Sequence, residues 1–279
     1  MAEQAVGAAV RRARERAGMT LRDLAGHLGV SAGTMSAIEN NKVAVTVERL
    51  NAVAAALGVT ATALLARDTA MAPPTPARGD DDWRHFADLD LDPVLAAAVE
   101  VFTETGYHGA TMRVVAGAAG ISVAGIYHHY RSKQQLLVAL FDVMMNEVHW
   151  RMTAAASETP DPVTTFALMV EALTLCHTQR RDLAFIAATE MRSLVEPDRS
   201  RVADERRRVQ HHLDVVAAKA VATGAFTTPN PHNTGRAIAT MCMALPYWFS
   251  VSGPQSPAEV AAEYADLALA MMGRRVQPD

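Results

Sequence analysis

Apolar residues recur at steps of three and four along most of this 279-residue chain. Leu21, Leu24, Ala25 and Leu28 form one stripe, Leu50, Val53 and Leu57 another, and Leu95, Ala98, Val99 and Phe102 a third. The longest runs through Leu136, Leu137, Leu140, Phe141, Met144 and Met145. This spacing gathers apolar side chains on one face of a helix, whereas Val and Ile never form a long strand-like run. The pattern predicts an all-α fold. Helices are expected at 4–18, from Thr20 to the turn at Gly29, and at 32–39, 46–57 and 60–66. A further set is expected from 92 to Gly106, then 111–119, 122–130, 133–155, 161–178, 181–194, 197–223, 231–250 and 256–273. Pro160, Pro162, Pro197, Pro229, Pro231 and Pro257 fall at boundaries, where proline is tolerated. Pro246 falls inside an apolar helix and predicts a kink there.

Two pairs of short helices are joined by tight turns. In residues 111–133, Thr111 and Ser122 are placed to cap the two helices with their hydroxyls. Gly120 sits at the turn, where a positive φ suits glycine alone. Ala116, Ala119, Ala124 and Gly125 are small enough to let the helices cross closely. In residues 20–39, Thr20, Gly29 and Ser31 take the same parts, with Met35 and Ile38 turned inward. This is helix-turn-helix geometry, whose second helix enters the DNA major groove. The later pair ends in Tyr127, His128 and Tyr130, followed by Arg131 and Lys133, groups that suit phosphate oxygens and base edges. A buried hairpin with an aromatic tip is the alternative, and the helical flank at 92–110 weighs against it.

Charge seems at first to oppose nucleic-acid binding, since the net value is −4. Partition changes the picture. Residues 1–65 carry 7 basic and 5 acidic side chains, and 66–91 carry 3 and 6. Arg11, Arg12, Arg14 and Arg16 cluster in the first helix, and Arg113, Arg131 and Lys133 around the later turn. Local clusters steer DNA, while the total does not decide it. Three prolines, a glycine and an acidic run mark 67–90 as a flexible linker, in which Trp83 and Phe86 are apolar enough to dock on a neighbouring domain. The expected domains are therefore 1–66, the linker 67–90, a helix-turn-helix domain over 91–140 and a helical ligand-binding and dimerisation domain over 141–279. No apolar run is long enough to span a bilayer, no signal-peptide pattern opens the chain, and Cys176 and Cys242 lack metal-ligand spacing. A cytoplasmic protein without cofactor or metal is expected. No phosphate loop, zinc-protease motif or nucleophile elbow is present, so an enzyme is not expected.

Residues 92–140 resemble the DNA-binding domain of TetR/AcrR-type transcriptional regulators. The resemblance rests on Ala98-x-x-x-Phe102-x-x-x-Gly106-Tyr107, Thr111, Ala116-x-x-Ala119-Gly120, Ser122-x-x-x-Ile126-Tyr127-x-His129-Tyr130 and Lys133-x-x-Leu136-Leu137. The family usually has Ile-Ala where this chain has Val115-Ala116. Residues 5–65 resemble the five-helix Cro/XRE module through Leu24-Ala25-x-x-Leu28-Gly29-Val30-Ser31, Ile38-Glu39-Asn40 and Leu50-x-x-x-Ala54-x-x-Leu57-Gly58. The DNA-contacting residues expected in the second module are Thr111, Arg113, Ser122, Val123, Ala124, Tyr127, His128 and Lys133. Those expected in the first are Arg22, for a phosphate, with Ser31, Ala32, Gly33, Thr34 and Ser36; of the groove-facing Ala32, Gly33, Thr34 and Ser36 none is a bidentate base reader. Glu39 either accepts from cytosine N4 or pairs with an arginine of the first helix, and the pairing is preferred.

Glu190-Met191-Arg192-Ser193-Leu194, Gly224-x-Phe226 and Trp248-Phe249 look more loosely like TetR-family repressors of lipid and steroid breakdown, a branch that senses acyl-CoA thioesters. On that resemblance Met169, Leu173, Phe185, Met191, Arg192, Met241, Tyr247 and Trp248 are the expected ligand-binding residues. Arg192, Arg206 and Arg207 are candidates for the CoA phosphates, with ordinary salt bridges as the alternative. The stripe around Pro246 fits either a pocket wall or a dimer interface. The expected function is a homodimeric, sequence-specific regulator of double-stranded DNA, of repressor type. A small hydrophobic effector such as an acyl-CoA would release it from a palindromic operator. Two rivals remain: an adaptor whose first module contacts protein, and a ligand-independent DNA-organising protein.

Overall fold

The computed structural model describes residues 7, 10, 11, 14, 19–40, 42–43, 45–56 and 82–275. The chain divides into two compact units, Met1–Met71 and Ala72–Asp279. Among the described residues every regular element is a helix, and none is long and apolar enough to cross a membrane.

In the first unit, α1 spans Leu21–His27, α2 Ala32–Glu39 and α3 Val47–Ala56. Thr20 and Asp23 form a reciprocal capping box at the start of α1, and the Ser31 hydroxyl accepts from Thr34 N–H at the start of α2. Val10, Leu24, Ala25, Met35, Ile38, Leu50, Val53 and Ala54 make a small core of their own. Gly7, Val10, Arg11 and Arg14 are helical, while the remainder of the predicted 4–18 helix and the predicted 60–66 helix lie outside the described residues. Arg14 grips Glu39 with two hydrogen bonds of 2.7 and 3.1 Å, and the Glu39 side chain is nearly buried. The structural pairing of Glu39 therefore holds, and its carboxylate is not turned to a base.

In the second unit, α4 spans Pro93–Gly109, α5 Met112–Ala118, α6 Val123–His129 and α7 Lys133–Ala156. They are followed by α8 at Pro162–Gln179, α9 at Arg181–Thr189 and a 3₁₀ turn at Met191–Ser193. The unit closes with α10 at Asp198–Ala222, α11 at Pro231–Met243, α12 at Leu245–Trp248 and α13 at Pro257–Met271. Helix α8 is the hub, packed by α7, α10, α11 and α13, and its Phe166, Met169, Val170, Ala172, Leu173 and Cys176 are all buried. Two predicted helices are shorter than the sequence suggests. The 181–194 helix stops at Thr189 and tightens into the 3₁₀ turn. The 231–250 helix breaks at Ala244, because Pro246 has no N–H with which to continue the ladder and takes the first turn of α12 instead.

Residues 82–90, read from sequence as the end of the linker, pack on the second unit as an extended strap. Trp83 is buried, and its indole N–H donates to Glu158 Oε1 at 2.5 Å. The carbonyls of residues 83, 85 and 87 all find guanidinium partners, the first of them within a turn closed by His85 N–H donating to Asp82 O at 3.0 Å. Arg151 donates to Trp83 O and to His85 O (2.9 Å), and Arg180 donates to Ala87 O at 2.6 Å. The Phe86 ring lies under the Arg151 guanidinium at 3.4 Å and near that of Arg180 at 5.1 Å. Glu147 balances part of this charge, accepting from Arg151 at 3.1 Å and from Arg180 at 3.0 Å. Trp83→Ala should cost about 3 kcal/mol of the second unit's stability, the usual loss for a large buried side chain. Urea unfolding followed on that unit measures it, and a change below about 0.5 kcal/mol would mean that the strap is merely adsorbed.

Candidate nucleic-acid interface

The interface is built from α5 and α6. Val115, Ala116 and Ile126 are buried between them and α4, which fixes the pair as a rigid block. The intervening turn places Gly120 at φ +68°, where a side chain would be strained. Thr111 Oγ1 accepts from Val114 N–H at 3.2 Å and Ser122 Oγ accepts from Gly125 N–H at 3.0 Å, so both caps form as the sequence predicts. A Cβ on Gly125 would come within 3.2 Å of Ser122 Oγ, so the small residue belongs to the cap. The far end of α6 is tied back by Tyr130, whose buried hydroxyl donates to Asp92 Oδ2 at 2.6 Å. Burial first, and then Asp92, push the Tyr130 phenol upward, so it stays a donor at any physiological pH.

The outward face of this block holds Thr111, Arg113, Ser122, Val123, Ala124, Tyr127 and His128, all exposed. Tyr127 leaves 49% of its surface in solvent, a large fraction for an aromatic residue with core positions close by. Ala124, expected at the helix crossing, faces outward instead, while Ala116 fills the crossing. Lys133 differs from the other predicted contacts. Its ammonium turns inward, donating to Tyr107 O at 2.5 Å and Ala110 O at 2.6 Å, with the Tyr107 ring 4.3 Å away. Burial lowers its pKa and the charge of Glu190 opposes that shift. Arg131, at the same end of α6, remains exposed.

In the first unit Arg22, Ser31 and Gly33 are exposed, and Ala32, Thr34 and Ser36 are partly covered. Their hydroxyls are already engaged. Ser31 and Thr34 share a bond of 2.8 Å, and Ser36 Oγ accepts from Asn40 Nδ2 at 3.3 Å.

The eight expected ligand residues are not brought into one cavity. Met169 and Leu173 are closed into the core around α8, on the faces that α7, α10, α11 and α13 cover. Phe185 and Tyr247 meet edge to face at 5.7 Å, and Trp248 lies against Tyr264 at 6.5 Å, yet Tyr247 and Trp248 are more than half exposed. Met191 and Met241 are partly buried, and Arg192 is exposed. Arg206 donates to Ala187 O at 2.5 Å, and burial lowers its pKa. Arg207 pairs with Asp204, the ordinary salt bridge that the sequence left open. An open cleft of about 950 Å³ lies elsewhere, between Leu89 and Leu91 of the strap, Ala96 and Val99 of α4, the Thr178–Leu183 corner and Ser250–Ser252.

Sequence reasoning missed a polar seam between the helix-turn-helix block and the helices behind it. Glu190, almost buried, accepts from Tyr107 N–H at 3.1 Å and from the Ser193 hydroxyl at 2.6 Å. Ser193 Oγ also lies 3.1 Å from His108 Nε2. An acid at the end of an amphipathic helix looks like a solvated residue, and nothing in its spacing reveals a partner 83 positions away.

Comparison with known proteins places this geometry. Residues 94–140 match the family described as bacterial regulatory proteins, tetR family, and 159–272 match the tetracyclin repressor-like C-terminal domain. Residues 5–67 match a helix-turn-helix domain. The fatty acid metabolism regulator protein of Bacillus subtilis (strain 168) is 28% identical over 99 residues, covering 36% of this chain and 51% of that protein. The chain thus spans about half the length of that curated relative, and less of the next ones, 34% and 24%. A tetR-family regulatory protein from Rhodococcus RHA1 superposes with a TM-score of 0.63 at 28% identity, covering 66% of this chain and 97% of that one. AibR, solved in complex with isovaleryl coenzyme A and operator DNA, shares the fold with a TM-score of 0.57 at 21% identity, over 64% of this chain and 95% of that one.

The two cations at the end of α6 should separate in a salt titration of DNA binding. Arg131→Ala should lower the slope of log affinity against log salt by about one, as loss of one phosphate contact does. Lys133→Ala should weaken binding with little change of slope, because its ammonium braces the protein. A full unit of slope lost on Lys133→Ala would show that the ammonium leaves its carbonyls for DNA.

Proposed function

Since the chain belongs to the tetR family of bacterial regulatory proteins, with a further helix-turn-helix domain ahead of the family's own, we propose that it is a cytoplasmic, dimeric transcriptional repressor. It binds a palindromic operator through α5 and α6 and is released by a small hydrophobic effector. One observation carries the DNA reading: an exposed tyrosine and histidine on a helix pair whose opposite side buries Val115, Ala116 and Ile126. Buried backing holds the face rigid, and the outward groups are those that contact phosphates and base edges.

Dimerisation is supported by the outer side of α11 to α13. Met243, Tyr247, Trp248, Leu267 and Met271 are all large, apolar and more than a third exposed there. A self-complementary patch of this kind suits a two-fold contact, and a two-fold dimer presents paired readers to a palindrome. Leu267→Glu should therefore give a monomer in sedimentation analysis and weaken operator binding more than tenfold, as loss of the second half-site requires. A dimer that survives this change would place the interface elsewhere.

The effector class we propose is an acyl-CoA thioester. Its support is indirect: the isovaleryl coenzyme A held by AibR and the fatty acid metabolism regulator among the relatives. Because Met169 and Leu173 are sealed, an acyl chain would enter an opened state of this domain, and it weakens DNA binding only as far as it prefers that state. The test is a titration of the full chain onto a duplex from upstream of its own coding region, with and without a panel of CoA thioesters. Release by one thioester is the expected result. Tight binding that no thioester disturbs would remove this effector class and keep the repressor.

For the first module, the engaged hydroxyls of α2 favour a supporting role. It adds phosphate contacts through Arg22 or touches a protein partner, and α6 does the sequence reading.

A further inference from the structure

We propose that Glu190 is a positioning residue that sets the angle of the helix-turn-helix block on the regulatory helices; this rests on the DNA-binding reading above. The carboxylate stands at the end of α9, in the half of the unit that would hold an effector. Its partner, Tyr107 N–H, stands where α4 turns toward α5, in the half that would hold DNA. Gly106 takes φ +68° at that turn, and a Cβ there would meet Glu190 Oε1 at 3.4 Å. The backbone thus reverses directly over the carboxylate, which aims the Tyr107 N–H into it.

The other carboxylate oxygen accepts the Ser193 hydroxyl proton at 2.6 Å, so the Ser193 oxygen is left to accept from His108 Nε2–H at 3.1 Å. Two successive residues of the turn, Tyr107 and His108, are thereby fastened to α9 and to the 3₁₀ turn behind it. On its opposite side the same turn is fastened by Lys133, through the carbonyls of Tyr107 and Ala110. A shift of α9 would therefore be handed through Glu190 to Tyr107, and from there to α5 and α6. Apolar packing of α9 on α4 tolerates small sliding, whereas a hydrogen-bonded carboxylate accepts one geometry. Glu190→Ala leaves the buried Tyr107 N–H unpaired and so costs stability, whereas Glu190→Gln keeps an acceptor there; comparing the two separates a role in orientation from a role in folding.

The test uses the full chain and a duplex it selects from a random pool, together with the same duplex carrying one extra base pair between the half-sites. Wild type should prefer the selected spacing by about 30-fold, within the usual range of coupling between sites. Glu190→Ala should bind both duplexes with a preference below about fivefold. Glu190→Gln, which still offers Tyr107 an oxygen, should keep most of it. Hydrogen exchange without DNA gives a second readout. Amides of α5 and α6 should exchange about tenfold faster in Glu190→Ala, while those of α8 stay as in wild type. A folded Glu190→Ala protein with wild-type spacing preference and wild-type exchange overturns the proposal. Where that variant fails to fold, Ser193→Ala, which frees one side of the carboxylate, decides by the same two readouts. If selection yields no duplex while exchange still rises, the DNA reading fails and the mechanical coupling stands.

Discussion

The second unit depends on burying α7 on nearly all sides. This helix begins at the helix-turn-helix block and runs through the helices behind it, about 36 Å at 1.5 Å per residue. Leu136 to Phe141, Val143, Met144 and Val148 need no more than apolar neighbours. Glu147 and Arg151 lie on the same buried surface, and a charge removed from water must be paired and hydrogen-bonded. Arg180 and the carbonyls of the strap supply those partners. The strap is thus required by α7: without it, Arg151 would keep only Glu147 as a hydrogen-bond partner, a carboxylate it already shares with Arg180.

Polar groups recur wherever two parts of this unit must meet at one angle. Tyr130 to Asp92 ties the end of α6 to the start of α4. Glu190 to Tyr107 ties α9 to the end of α4. Lys133 ties the start of α7 to that same turn. Each is largely sheltered from water, where a bond left unmade costs more than a bond made contributes. Apolar surface brings these elements together, and the polar contacts select one arrangement among those the apolar surface would allow.

Local rules explain why so much of the fold was legible. Caps, turn glycines and boundary prolines act within a few residues, and Thr20, Ser31, Thr111, Ser122, Gly29 and Gly120 all behave as their spacing requires. The exposed face of α5 and α6 was legible for the same reason, since it is what remains of the two helices once the apolar stripe is buried. Docking of the strap was legible in Trp83 and Phe86, apolar residues within a linker composition, but the arginines that hold its carbonyls stand 66 to 93 positions away and were not. Two further features were not legible. Lys133 has the composition of a phosphate contact, and only the fold shows that two carbonyls take its ammonium. The expected pocket residues share a chemistry but not a cavity, because Met and aromatic stripes at helical spacing serve a closed core equally well.

The two helix-turn-helix pairs share a backbone plan and differ in what their side chains have left to offer. At α2 the hydroxyls of Ser31, Thr34 and Ser36 each make a local bond, and Glu39 is held by Arg14. In α6 the cap consumes only Ser122, while Tyr127 and His128 stand clear of internal partners among the bonds that build the block. Base readout needs donors and acceptors that are free and held still. By that measure the proposed division, α6 reading the sequence and α2 supporting it, follows from which side chains keep free groups. The buried seam at Glu190 makes sense in that light: it connects the regulatory helices to the one pair whose exact angle on DNA would matter.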